Sequence, residues 1–361
     1  MRRDDTAGRT GGRDDTTGPL HCDTAHPLAD TETCHTWETA APSPTFGPIL
    51  GPGRGMSNER SFPIASTANK RATLAPVTDL TTVDSTVSGR LVVTGAGGQV
   101  GRELLRLAPA ARGFARSALD ITDSAAVRSV LAPGDVVVNC AAYTAVDRAE
   151  TETETAFAGN ATGPAVLAAA CAAVDARLIH LSTDYVFAGT CRRPYDTTDP
   201  TGPSSVYGRS KLAGEREVLA HCPNAHVVRT AWVYAGRDGD FVATMRRLER
   251  ERDTVDVVDD EVGSPTYAAD LAGALLELVT RPDAARVLHA TNSGAASRFD
   301  LARAVFTLVG ADPDRVRPCD SSRFPRPARR PAYSVLSPRS WDASGLTPLR
   351  DWRTALRQAL A

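Results

Sequence analysis

At residues 90–108 the sequence reads RLVVTGAGGQVGRELLRLA. A short apolar run enters a glycine-rich turn, and a helix-forming stretch follows at once. The run predicts a buried strand, and the residues after the turn predict a helix. Gly95, Gly98 and Gly101 give the pattern G-x-x-G-x-x-G between the two. In such a strand–turn–helix one glycine permits the tight turn. Another lets backbone approach a pyrophosphate, and a third lets helix and strand pack closely. The helix start offers oriented N–H groups to phosphate oxygens. A glycine-rich turn alone is an ordinary connection; the strand before it and the helix after it point to dinucleotide binding.

The same alternation continues downstream. DVVVNCAAY (135–143), ARLIHLST (176–183) and HVVRTAWVY (226–234) read as strands. AFAGNATGPAVLAAACAA (156–173) reads as a long Ala-rich helix, and SSVYGRSKLAGEREVLAHC (204–222) has helical period. Short apolar strands alternating with helices indicate a parallel sheet covered on both faces. The expected fold is α/β: a Rossmann-like, doubly wound parallel sheet over residues 89–235. Residues 236–361 carry a mixed pattern, with helices near 239–251, 267–280, 297–309 and 350–360. They predict a smaller mixed α/β substrate lobe, with chain passing between lobes more than once. Residues 1–88 hold 16 Thr, eight Pro and eight Gly without a helical or strand period. Such a segment cannot bury enough apolar surface to offset its chain entropy, and it predicts a disordered extension. Met56, in GRGMSNER, is a candidate translation start.

Of 361 residues 23% are charged and the net charge is −2, which argues against a nucleic-acid surface. The run RFPRPARRP (323–331) suits a substrate phosphate better than a polyanion. No uninterrupted apolar run reaches 18 residues, which argues against a transmembrane helix. Seven cysteines without C-x-x-C spacing fit reduced thiols in a cytoplasmic protein. No G-x-S-x-G elbow and no His–carboxylate cluster with metal spacing is present.

Of the 41 Lys plus Arg, two are lysines, Lys70 and Lys211. Lys211 follows Tyr207 by four residues and shares its helical face. A free phenol titrates near ~10, and a nearby ammonium would lower that value and help the phenol exchange a proton with a ketone oxygen. A compact ammonium can also bond a ribose hydroxyl where a planar guanidinium would not fit. Thr183 ends a strand, where a hydroxyl points into the ligand crevice of a parallel sheet. It is the candidate for holding a substrate carbonyl, with turn capping as the plainer reading. Arg116, after the second strand, suits a 2′-phosphate and so NADPH; a solvated surface arginine is the alternative. Asp120 lies where an acid would meet an adenosine, and Asp123 is the better helix cap.

Together VTGAGGQVG, LDITD, VVNCAAYTAVDRAE, LSTDYVFAG, YGRSKLAGE, RTAWVY, DDEVGSPTYAADLA and RPAYSVL make the chain from Arg90 onward similar to the dTDP-4-dehydrorhamnose reductases. These are extended short-chain dehydrogenases/reductases, a branch that includes other dTDP-4-keto-6-deoxyhexose reductases such as dihydrostreptose synthase. The resemblance implies that Gly98, Gln99 and Val100 touch the cofactor pyrophosphate. Asp120 and Ile121 would lie along the adenosine, and Ala141, Ala142 and Tyr143 along the cofactor beyond it. It implies Tyr207 as proton donor with Lys211 as partner. Thr183, Asp184 and Tyr185 would border the substrate, and Trp232 would lie against the sugar. The implied cofactor is NADPH, with NADH the alternative; the substrate is a dTDP-linked sugar; the assembly is a monomer or a homodimer. Some members use Mg²⁺, for which no ligand cluster is visible here. Two positions depart from the family pattern. Glu261 stands where D-Q-x-G-x-P-T has Gln, and Arg298 follows Ser297 where an aromatic residue is common. The resemblance leaves a second class open, a non-catalytic dinucleotide-binding subunit like the methionine adenosyltransferase β-subunit. An epimerase or dehydratase on the same fold is a further alternative; a dehydratase would want a further carboxylate after Asp184, where Tyr185 stands.

Overall fold

A computed structural model describes residues 89–361 except Asp238. The expectations for residues 1–88, including Met56 as a start, lie outside the described residues. The central sheet begins with β1 (Leu91–Thr94), whose four residues are all buried, as are those of β3 (Val136–Asn139). Such strands need apolar residues at successive positions, because both faces are covered. The other strands are β2 (Arg112–Phe114), β4 (Arg177–Thr183), β5 (Ala225–Thr230) and β10 (Val287–His289). All six run parallel in the order β10-β5-β4-β3-β1-β2. The chain steps from β1 to β2 on one side, then returns to lay β3 on the other. Ligand crevices open at such a reversal, beyond the C-terminal strand ends.

Alternate residues along each strand supply the two faces. Leu91, Val93, Val136 and Val138 pack with Leu104 of α1 (Gln99–Leu107) and with Leu271 and Leu275 of α6 (Ala268–Val279). Val92, Val137, Leu178 and Val227 pack with α2 (Ser124–Val130), α3 (Thr153–Ala173) and α4 (Val206–His221). Each fully buried side chain of this size contributes about 1.5–3 kcal/mol, so the layers are bound by apolar burial. α3 is, by length and composition alone, long and apolar enough to cross a membrane, which qualifies the reading from apolar runs. Half of that window is buried in the protein, and Leu167, Ala168 and Cys171 lie in the sheet core.

A separate core holds the remaining C-terminal elements. Val242 and Met245 of α5 (Phe241–Glu251) meet Val257 of β7 (Val255–Val258) and Phe306 of α7 (Arg298–Leu308). Val316 of β12 (Val316–Cys319), which pairs β7 in parallel, and Trp352 of α9 (Trp352–Leu360) complete it. Residues 268–289 return to the sheet as α6 and β10, so the second half of the sequence serves both cores.

Two elements differ from expectation. The stretch 226–234 is not one strand: β5 stops at Thr230, and a two-residue β6 (Val233–Tyr234) pairs β9 (Thr266–Tyr267). Trp232 between them has φ +45°, which a strand cannot accommodate. α3 starts at Thr153 and contains a π-helical turn, Ala158–Thr162.

Candidate active site

Two adjoining cavities, of about 620 and 380 Å³, lie at the C-terminal ends of β1, β3, β4 and β5. They share Gly98, Cys140, Ala142 and Thr144. The smaller one is lined by Gly95, Arg116, Asp120, Ile121, Ala141 and Tyr143. In the larger, Gln99, Val100 and Gly101 line one part, and Thr183, Asp184, Tyr185, Tyr207 and Trp232 another. Of the residues given a catalytic, cofactor or substrate role in sequence, Lys211 alone lines neither; it is buried, 2% exposed.

The glycine turn is sterically demanding. Gly95 has φ +69°, and a Cβ on Gly101 would stand 2.4 Å from the Gly95 carbonyl oxygen. Helix α1 therefore begins tight against the strand end. Its start at Gly98 has no side-chain cap and no acidic residue in the first turn. By contrast Asp123 caps α2, Ser205 caps α4 and Asp240 caps α5. The uncapped N–H groups face the cavity, which fits a cofactor pyrophosphate.

At the smaller cavity, Asp120 Oδ1 accepts from the Thr122 N–H at 2.9 Å and from its hydroxyl at 2.8 Å. Those bonds hold its carboxyl below the usual range, and the nearby Arg116 guanidinium adds to the effect. Tyr143 is held by a residue that sequence reading missed. Asn160, buried in the π turn, accepts from the Tyr143 N–H at 2.8 Å. Its Nδ2 donates to the Tyr143 carbonyl and to Ser210 Oγ of α4, each at 3.0 Å. The signal available was a lone Asn in an Ala-rich helix.

At the larger cavity, the Thr183 hydroxyl donates to Asp184 Oδ1 at 3.0 Å and accepts from the Tyr185 N–H at 3.2 Å. Thr183 thus caps the single turn Asp184–Val186 while lining the cavity. Burial pushes the Asp184 carboxyl up to about 6. Tyr207 sits in the first turn of α4, its ring edge-on to Tyr185 with centroids 5.5 Å apart. Burial pushes its phenol up; the Thr183 hydroxyl opposes this, while Asp184 and Tyr185 add to it. Sequence reading expected the Lys211 ammonium to lower that phenol. Instead Lys211 Nζ donates to the Leu181 carbonyl at 2.6 Å, and burial lowers the lysine to about 8. The lysine is turned toward the strand backbone, and the phenol's neighbours govern the phenol.

Trp232 was expected to offer its ring to a ligand. One face carries the Arg298 guanidinium, 3.4 Å from the ring centroid. The ring also lies against Gly263, where a Cβ would come within 2.5 Å. Among the described residues, no group of three or more His, Cys, Asp or Glu could hold a metal ion.

Residues 89–361 match the family described as RmlD substrate binding domain. The chain is 61% identical over 279 residues to a dTDP-4-dehydrorhamnose reductase of Mycolicibacterium smegmatis, covering 75% of this chain and 85% of that protein. The chain belongs to the dTDP-4-dehydrorhamnose reductase family. A dTDP-4-keto-6-deoxy-D-glucose reductase of Streptomyces niveus is 46% identical over 280 residues, 76% of this chain and 97% of that one. A solved dTDP-4-dehydrorhamnose reductase from Bacillus anthracis, in complex with NADP, superposes with a TM-score of 0.72 at 36% identity, covering 74% of this chain and 97% of that one.

Against the pattern of this reductase family, the two departures seen in sequence meet in space. Arg298 N–H donates to the Glu261 carbonyl at 3.3 Å, across the antiparallel pair of β8 (Val262–Gly263) and β11 (Ala296–Ser297). Burial raises the Glu261 carboxyl, and Arg298, Arg330 and Arg326 pull it back. The added negative charge is answered by an added positive one at the start of α7.

Proposed function

We propose that this chain reduces the C4 keto group of a dTDP-4-keto-6-deoxyhexose, with NADPH preferred over NADH. The observation that carries this reading is the convergence of Tyr207, Thr183 and Asp184 on the cavity that also receives the uncapped start of α1. Gly98, Gln99 and Val100 would hold the cofactor pyrophosphate, with Asp120, Ile121 and Arg116 along its adenosine end and Ala141 to Tyr143 beyond. When bound, the dinucleotide supplies the hydride. Thr183 hydrogen-bonds the substrate oxygen, and Tyr207 gives that oxygen its proton as charge develops. Lys211, one turn along α4 and bonded to the Leu181 carbonyl, serves the phenol by exchanging protons rather than by lowering its pKa. The C-terminal core, built on α5, α7 and α9, carries the nucleotide-sugar side. The free thiols Cys140, Cys171, Cys191, Cys222 and Cys319 support a reducing, cytoplasmic setting.

The test supplies dTDP-4-keto-6-deoxyhexoses, with and without a 3,5-epimerase, and follows oxidation of NADPH and NADH. NADPH should be consumed with at least one of these sugars, and faster than NADH. No oxidation with any sugar would leave a dinucleotide-binding subunit without this chemistry.

A further inference from the structure

His180 is fully buried in β4, and the reduction proposed above does not use it. Its register partner across the sheet is Asn139, the last residue of β3. The Asn139 side-chain oxygen accepts from the Ala141 N–H at 3.0 Å and from the Thr94 hydroxyl at 2.7 Å. A backbone N–H only donates, so the amide oxygen is fixed on that side. Asn139 Nδ2 therefore faces His180 Nδ1, at 2.9 Å. An amide nitrogen also only donates, so Nδ1 must accept. Burial holds His180 well below its ordinary value and keeps the ring neutral. A neutral imidazole with a bare Nδ1 carries its hydrogen on Nε2. That nitrogen lies 3.4 Å from Lys211 Nζ.

An imidazole N–H aimed at an ammonium sets donor against donor. Aimed at an amine, it meets a lone pair. We propose that Asn139 and His180 are positioning residues that lock one imidazole tautomer against Lys211, favouring its uncharged form and making it a proton-exchanging group one helical turn from Tyr207. The proposal rests on the reductase reading, in which Lys211 serves Tyr207.

The other groups facing Lys211 act as follows. The Glu215 carboxylate, one turn along α4, favours the ammonium, but Arg229 of β5 already binds it through two bonds, at 2.9 and 2.8 Å. Ser182 of β4 donates to the same carboxylate. Cys140, after β3, is pushed up to about 12 by burial and stays a neutral thiol. Tyr207 is a neutral phenol, and the Leu181 carbonyl accepts from Nζ. With the lysine lowered to about 8, the ammonium is present below that pH and lost above it. Turnover that needs the ammonium should then decline on the alkaline side. Removing the His180 N–H should shift that decline to higher pH.

The chain's composition permits a direct reading. It has two lysines, Lys70 and Lys211, so ¹³Cε-lysine labelling of the full chain gives two signals, assigned with Lys70→Arg. The Lys211 signal should titrate near 8. In His180→Leu it should titrate higher by about one pH unit, a tenfold change in acid dissociation constant. The alkaline limb of kcat/KM should move the same way. An unchanged midpoint in His180→Leu overturns the proposal. A second measurement needs no variant to fold: imidazole ¹⁵N spectra of the native chain should give His180 as the Nε2–H tautomer. An Nδ1–H tautomer or an imidazolium also overturns it. If no sugar is reduced, the reductase reading fails while both spectroscopic results still decide the tautomer lock.

Discussion

On the reading proposed above, the Tyr207 phenol must part with a proton, and it stands among groups that oppose its ionisation. Burial, Asp184 and Tyr185 all favour the neutral form, so a donor at this position would be loaded before substrate arrives. Tyr207→Phe keeps the ring and removes the proton. Its kcat should fall by about 10²–10⁴ while KM changes little, as steady-state kinetics would show. Asp184 carries a different cost. The folded chain keeps a proton on it up to about pH 6, whereas the ordinary value is 3.8. Folding therefore binds a proton between those values, and stability declines as pH rises through that interval, by ~3 kcal/mol in all. Asp184→Asn should match the native chain near the acid end and exceed it by ~2–3 kcal/mol at neutral pH, measured by urea unfolding. Parallel stability curves for the two proteins would remove Asp184 as the source. At this scale sequence was informative where chemistry follows spacing: Tyr207 and Lys211 share a helical face because helix geometry is local. It was silent on the direction Lys211 takes, because Leu181 and His180 approach it from another element.

α3 illustrates how an element departs from its own period to serve a site. The π turn at Ala158–Thr162 accompanies an Asn160 that holds both backbone polar groups of Tyr143 and reaches Ser210. Such turns interrupt helices mostly where function calls for a side chain off the regular track. Asn160→Ala should cost about 1–3 kcal/mol, because Tyr143 loses two bonds in a half-buried setting. It should also raise KM for the dinucleotide more than it lowers kcat, since Tyr143 lines the smaller cavity. Equal stability with unchanged KM would mean that Tyr143 is held by other means. The break at Trp232 was equally hidden: a run of β-formers reads as one strand, and the turn is set by β9 pairing with the residues beyond it.

Across the whole molecule, one buried ion pair ties three sheet-side elements together. Arg229 of β5 binds Glu215 of α4 at 2.8 Å, with side chains 6% and 3% exposed, and Ser182 of β4 joins them. Arg229→Met should cost about 3–5 kcal/mol, because the buried Glu215 carboxylate loses both guanidinium bonds and keeps the Ser182 hydroxyl as its hydrogen-bond donor. Adding Glu215→Leu should recover most of that loss in thermal unfolding, since two apolar residues leave no charge to compensate. By itself the sequence determined the parallel sheet, the glycine turn and the tyrosine–lysine face. Each is a pattern of neighbours a few residues apart, where strand burial, turn sterics and helical period act directly. Only the tertiary structure decided which chain segments meet. Asn139 faces His180 because β3 and β4 pair in one register, and Arg298 covers Trp232 because β8 and β11 align their ends. Those contacts join residues tens of positions apart, and no local preference in either segment specifies its partner.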